Sequence, residues 1–358
     1  MWIRSLFLRN FRNYCELEWE PSSGINLLKG PNAAGKTNLL EALYFVLCGR
    51  SFRTLREEEI VRTGETTTLI KGKIATAWGE IETEVRFKKG TKLLFYQGKP
   101  ASRRDFPGEK VVLLFRPEDL LVVTGTPAER RGFFNRVLAK LVPGYEEVLT
   151  RYQRALEQRN ALLRLPEKKG EELEIWTEAL VSAGALLYRL RVEGLGLIGP
   201  LTSSLYRELV GKKLVLRYAT NAVSPAKEKP LAEQFAEALS ALAEKEKVLG
   251  QTLVGPHRDD FLFIVEGEDL RYKGSRGEVR AAVLALKLAE AKLLEKMTGE
   301  RTIFFLDDVF SEFDPQRRRA LALYLEERQS FVTSAEPELK LPGRTFLIEQ
   351  GRLRAADY

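Results

Sequence analysis

The run Gly30-Pro31-Asn32-Ala33-Ala34-Gly35-Lys36-Thr37 constrains this chain more than any other feature of it. Every fixed position of the pattern Gly-x-x-x-x-Gly-Lys-Thr is filled. The context is also the required one, because a strand pattern from Ile25 to Leu28 precedes the run and helical spacing from Thr37 to Leu47 follows it. In such a strand, loop and helix, the loop N–H groups and the helix N-terminus surround a phosphate chain. Lys36 then reaches the terminal phosphates and the Thr37 hydroxyl ligates magnesium. The candidate nucleotide-binding residues are thus Gly30, Pro31, Asn32, Ala33, Ala34, Gly35, Lys36 and Thr37, with Asn38 next to them. A glycine-bearing turn with a chance lysine would not fill the whole pattern in this setting. The fold class expected is α/β.

A phosphate loop needs a second half. Thr302-Ile303-Phe304-Phe305-Leu306-Asp307-Asp308 is an apolar run ending in paired acids, which reads as a buried parallel strand. At the strand end Asp307 would hold Mg2+, directly or through water, and Asp308 would orient or deprotonate the attacking water. Alone, two acids after a strand are as readily a helix cap or a solvated turn. Beside a complete phosphate loop that reading loses ground. The two halves lie about 270 residues apart, a spacing that suits an ATPase with a large insertion better than a compact GTPase or nucleoside kinase.

The pattern along the chain agrees. Alternation over Trp2 to Leu8, Leu17 to Trp19, Ile70 to Ile74, Ile81 to Phe87 and Leu93 to Gln97 predicts a strand-rich N-terminal region. Helical spacing follows over Glu129 to Leu141, Tyr145 to Leu163, Leu173 to Leu190 and Leu231 to Leu249. Strand and helix then alternate again: Phe261 to Val265, Glu278 to Met297, Thr302 to Leu306 and Gln316 to Arg328. This order predicts one ATPase domain built from residues 1–118 and 252–358, with a helical lobe inserted over 119–251. Pro143-Gly144, Pro166, Gly170 and Gly199-Pro200 are expected to break the lobe into short helices, which excludes two long antiparallel arms.

Composition adds limits. No run approaches the roughly 18 apolar residues of a membrane span, and no signal peptide precedes the first strand pattern, so a cytoplasmic protein is expected. Cys15 and Cys48 are too few for a disulfide framework and are expected as buried thiols. The net charge of +7 favours a polyanionic partner. It does not say which domain meets that partner, because residues 119–251 carry 20 Lys+Arg against 17 Asp+Glu and the remainder 37 against 33. Arg103-Arg104, Lys88-Lys89, Arg130-Arg131 and Lys212-Lys213 are candidate phosphate contacts, although such pairs are usually solvated.

Between the two halves of the site, Ser275-Arg276-Gly277-Glu278 opens a helical pattern through Val279, Ala282, Val283, Leu286, Ala289 and Leu293. Ser275 with Glu278 forms a capping-box pattern. The same residues are similar to the ABC signature motif, which binds the γ-phosphate held by a second subunit, and both readings can hold together. Val309-Phe310-Ser311-Glu312-Phe313-Asp314-Pro315 stands where such ATPases carry the D-loop, with Ser311 and Asp314 as site candidates. Asp314-Pro315 is equally an ordinary helix start. Phe331 to Ser334 ends where ABC transporters carry a switch histidine, and none is present. The one histidine, His257 in Gly255-Pro256-His257-Arg258, reads as structural.

Leu8-Arg9-Asn10-Phe11-Arg12-Asn13-Tyr14, Gly49-Arg50-Ser51-Phe52-Arg53, Arg116-Pro117-Glu118-Asp119-Leu120, Arg130-Arg131 with Phe134, Gln158-Arg159-Asn160 and Gly255-Pro256-His257-Arg258 resemble blocks of the RecF family, in that family's order. The resemblance covers nearly the whole chain. It implies an ABC/SMC-like ATPase head with a helical lobe, ATP-dependent homodimerisation, slow ATP hydrolysis, and binding of gapped or single-strand/double-strand junction DNA with little sequence preference. RecR and RecO are the implied partners, assisting the loading of RecA. The chain departs from the family's pattern at Asn135, where Asp is common after the paired arginines, and at Glu278-Val279 in place of a glutamine-bearing signature. No Q-loop glutamine stands near Leu113 to Arg116. An ABC transporter subunit would need the switch histidine, and a long-armed SMC protein would need far longer heptad arms.

Overall fold

The computed structural model describes residues 1–54, 56–88, 90–165, 170–224 and 229–356; Lys89 and Pro166 lie outside them. The chain divides into two compact units, the first made of Met1–Glu118 and Ala291–Tyr358, the second of Asp119–Glu290.

The first unit sets two six-stranded sheets around one helix. The sheet that bears the phosphate loop runs Arg352–Ala356, Arg344–Glu349, Ile25–Lys29, Ser330–Ser334, Ile303–Leu306, Val112–Phe115. All its pairings are parallel except the terminal hairpin. Its three central strands are buried at every residue, which is why Ile303–Leu306 reads as a continuous apolar run rather than an alternation. The other sheet is antiparallel, running Tyr14–Trp19, Trp2–Phe11, Thr67–Thr76, Gly79–Lys88, Thr91–Tyr96, Lys99–Pro100. Helix Lys36–Cys48 is buried nearly all round, since Leu39, Leu43, Phe45, Val46 and Leu47 join both sheets in one apolar core.

The second unit is not purely helical. Helices Pro127–Leu141, Tyr145–Leu163, Gly170–Val210 and Leu231–Leu249 accompany a sheet of Leu214–Ala219, Asp260–Val265 and Glu268–Asp269. Pairing from Leu214 with Val265 to Ala219 with Asp260 ties the chain after Gln251 into this unit, so it extends to Glu290 rather than ending at 251. Gly199-Pro200 does not break its helix: Gly170–Val210 runs through Pro200. An internal proline costs about 3 kcal/mol or more. Leu187, Tyr188, Leu195, Ile198, Leu205 and Tyr206 bury one face of that helix on both sides of Pro200, and this burial outweighs the local cost.

Candidate functional site

The phosphate loop is shaped by two close approaches. A Cβ on Gly30 would meet the Ile348 carbonyl oxygen at 2.3 Å, so only glycine lets the loop leave its strand beside Arg344–Glu349. Gly35 has φ +114°, and a side chain there would strike the Asn13 amide. Gly35 also precedes helix Lys36–Cys48 without a side-chain cap, and no acid occupies the first turn. The helix therefore presents free N–H groups and the positive end of its dipole to the cleft.

Lys36 is buried, with its ammonium donating to the carbonyls of Gly30 at 2.7 Å and Pro31 at 2.9 Å. Burial lowers its pKa against the pull of Asp308 and Asp307. Thr37 Oγ1 donates to Asp307 Oδ1 at 2.8 Å, and Thr333 Oγ1 donates to the same oxygen at 2.9 Å. Burial pushes the Asp307 carboxyl above its ordinary range, opposed by these two hydrogen bonds and by the charge of Arg53. Asp308 holds φ +53°, a left-handed conformation that Asp tolerates better than most residues. Its N–H donates to Thr333 Oγ1 at 2.8 Å and its carbonyl accepts from Ser311 Oγ at 2.7 Å, which fixes the turn. Asn32, Ala33, Gly35, Lys36, Thr37, Asn38, Arg53, Asp307, Asp308 and Thr333 line a single cleft of about 250 Å³. One basic end, a Thr–Asp pair of hard oxygen donors and an adjacent acid make it a site for a phosphate chain with a small divalent cation.

Three residues of this site are missing from the motif reading. Thr333 occupies the strand end where a switch histidine would stand, and that polar strand end was its only local signal. Asn13 donates to the Ala34 carbonyl at 3.0 Å and accepts from Asn38 at 2.8 Å. Arg53 donates to Asn38 Oδ1 at 2.7 Å. Both lie inside blocks that carried the family resemblance.

Ser275, Arg276, Gly277 and Glu278 belong to the second unit. There the capping box is formed: Ser275 N–H and Oγ both donate to Glu278 at 2.9 Å, and Glu278 N–H returns to Ser275 Oγ at 3.3 Å. A hydrogen bond from Lys212, then those from Ser275, hold the Glu278 carboxyl down at about 2. In the first unit Asp314 caps helix Pro315–Leu325 by accepting the Arg317 N–H at 3.0 Å.

The second unit gives several candidates protein partners of their own. Arg130 is buried and grips Asp260 through two hydrogen bonds of 2.6 and 2.7 Å, so it cannot be a phosphate contact. Arg131 donates to the Asp259 carbonyl at 2.8 Å, and Lys212 pairs with Glu278 and Glu266. His257 bonds Tyr152 Oη at 2.6 Å and the Thr252 carbonyl at 3.1 Å, an arrangement that suits a neutral ring with its proton on Nε2. Burial lowers its pKa to about 4. Asn135 Oδ1 accepts from Tyr145 Oη at 2.7 Å and from Arg191 at 3.2 Å, so its amide oxygen does the accepting an aspartate would do. Cys48 is buried as expected, but Cys15 is exposed, on the outward side of an edge strand.

Comparison with known proteins agrees with this geometry. Residues 2–341 match the family model described as the RecF/RecN/SMC N terminal domain. An Smc head bound to the C-winged helix domain of ScpA superimposes with TM-score 0.59 at 14% identity, covering 99% of this chain and 97% of that one, a likeness of fold alone. Fold and cleft define the class: a P-loop ATPase head of the ABC/SMC type. Among curated relatives, the DNA replication and repair protein RecF of Desulforudis audaxviator is 36% identical over 349 residues, 96% of this chain and 97% of that protein. That of Chloroflexus aurantiacus is 37% identical over 391 residues, covering 99% and 100%. The solved structure of the recombination mediator protein RecF with ATP, of the RecFOR pathway, superimposes with TM-score 0.88 at 31% identity, covering 99% and 98%. The chain belongs to the RecF family.

Proposed function

We propose that this chain is a RecF-type, ATP-dependent DNA-binding protein of recombinational repair, working in the cytoplasm. The observation that carries the reading is the convergence of Thr37 and Thr333 on one oxygen of Asp307, beside Lys36 and Asp308. Thr37 and Asp307 would hold Mg2+, which would supply positive charge to offset that of the phosphates. Lys36 turns from its loop carbonyls to those phosphates. Asp308, fixed by Thr333 and Ser311, orients the attacking water. Ser275, Arg276, Gly277 and Glu278, with Ser311 and Asp314, serve the nucleotide of a second copy in an ATP-dependent homodimer, as the ABC resemblance implies. The capping box then sets the helix N-terminus that receives the γ-phosphate.

The DNA is gapped or a single-strand/double-strand junction, read through phosphates with little sequence preference, and RecR and RecO join the protein there to help load RecA. Fluorescence anisotropy on a gapped duplex tests this, with tighter binding expected in ATP and steady weakening as salt rises, because phosphate contacts release counterions. Affinity indifferent to both would sink the reading. The shared site has its own test, since inactive Lys36→Ala and Ser275→Arg chains regain turnover when mixed only if one chain's Ser275 serves the other's nucleotide. Light scattering must show that mixed dimers form; dimers that form but never turn over would leave Ser275 a helix cap alone.

A further inference from the structure

We infer that Glu41 is a positioning residue of the nucleotide site, acting through Arg53; the inference rests on the ATPase reading above. Glu41 lies one turn beyond Thr37 on the phosphate-loop helix and is fully buried. A carboxylate is tolerated there only when paired and hydrogen-bonded. Its partners all come from segments that flank the cleft. Arg12 Nε and Nη2 donate to its two oxygens at 3.0 and 2.9 Å, Ser51 Oγ donates to Oε1, and Arg53 Nη1 stands 3.7 Å from Oε2. The Ser51 oxygen in turn accepts the N–H groups of Arg53 and Thr54 at 2.9 and 3.1 Å. One carboxylate thus anchors the backbone that carries Arg53 and also faces its charge.

Packing alone does not explain this arrangement. Arg12 is enough to neutralise Glu41, and it also ties the helix to the Glu59 carbonyl at 2.9 Å. Arg53 is a second guanidinium on the same acid, with its side chain 41% exposed, where an ion pair stabilises little. What Arg53 gains is direction: it reaches Asn38, the neighbour of Thr37, and lines the cleft with Lys36, Asp307 and Asp308. Without the carboxylate between them, Arg12 and Arg53 would repel and Arg53 would swing toward water. A guanidinium held at the departing phosphoryl stabilises charge that grows in the transition state, so the loss should fall on kcat rather than KM.

The test is steady-state ATP turnover and thermal unfolding of the full chain as wild type, Glu41→Gln, Arg53→Ala and the double variant. Glu41→Gln should lower kcat about tenfold with KM changed less than about threefold, and should have no further effect on Arg53→Ala. Glu41→Gln within about twofold of wild type, or losses that multiply in the double variant, would overturn the inference. If Glu41→Gln does not fold, Ser51→Ala cuts the same anchor without stranding a charge. It should cost about threefold in kcat, again only when Arg53 is present, and independence from Arg53 would overturn the inference equally. A wild type that neither binds nor hydrolyses ATP would instead remove the ATPase reading.

Discussion

Lys36 and Asp307 in the first unit and Arg159 and Arg191 in the second are all charged groups held out of water, yet they are satisfied differently. Burial holds Lys36 and Asp307 away from their ordinary ionisation, and both face an open cleft. Arg159 donates to Thr177, Thr252 and Glu246 at 3.0, 2.7 and 2.7 Å. Arg191 donates to Tyr145, Tyr218, the Pro256 carbonyl and Asn135 within 3.2 Å. The second network closes on itself; the first is arranged to be completed by a phosphate chain. The two sets of buried charges therefore differ in purpose, although both units contain blocks that resemble the RecF family.

Substitution in the open cleft should cost activity and spare the fold. Lys36→Ala or Asp307→Ala should lower ATP turnover by about a hundredfold or more, each deleting a charge that faces phosphate or metal. Stability should hold or rise slightly, because burial already disfavours the charged form of both side chains. Asp308→Asn should differ by keeping ATP affinity while slowing hydrolysis, which trapping of the ATP-bound dimer in light scattering would reveal. Wild-type turnover in that variant would remove Asp308 from its assigned role.

The closed network should respond in the opposite sense. Arg159→Leu strands the fully buried Glu246 and should destabilise the protein by about 3–5 kcal/mol in denaturant unfolding. ATP affinity of the folded fraction should stay within about threefold of wild type. A stable Arg159→Leu protein with impaired ATP binding would break the division between the units.

A smaller effect comes from protons. His257 has a folded-state pKa of about 4 against an ordinary 6.5, so its native environment favours the neutral ring. Between those values the unfolded chain binds the extra proton, and this contribution to stability is lost as pH falls from about 6.5 to 4. Asp259 works in reverse: burial raises its pKa to about 6, so between 3.8 and 6 the folded chain binds more protons and gains stability as pH falls. In wild type the two oppose each other over much of the same window. His257→Gln should uncover the Asp259 term, shifting relative stability toward the variant by about 2 kcal/mol as pH falls from 6.5 to 4. Parallel pH profiles would show that His257 does not titrate in this way.

The difference between the units also explains which features the sequence discloses. Phosphate-loop residues adjoin in the chain, and the loop's chemistry demands fixed residue types at fixed spacing, so Gly30 to Thr37 can be read directly. Asp307 and Asp308 are legible because a buried parallel strand ends on them. Thr333 reaches the site only through the register that pairs Leu306 with Val332, and nothing local gives that register. Pro200 misleads because local propensity argues for a break that tertiary burial overrides. The strand Leu214–Ala219 is a short apolar run that periodicity alone does not separate from a helix.

The register of the parallel sheet also bears on how the chain comes into being. Ile25–Lys29, which launches the phosphate loop, is flanked on both sides by strands from the far end of the chain, Ser330–Ser334 and Arg344–Glu349. A growing polypeptide therefore carries its phosphate loop through roughly three hundred residues of synthesis before either neighbour exists. Residues 119–290 emerge whole in that interval and can fold while the strands that will frame the loop are still untranslated. A chain released before residue 330 keeps every atom of the phosphate loop and lacks both strands that hold it in shape, so nucleotide binding reports that translation reached the last strands of the sheet.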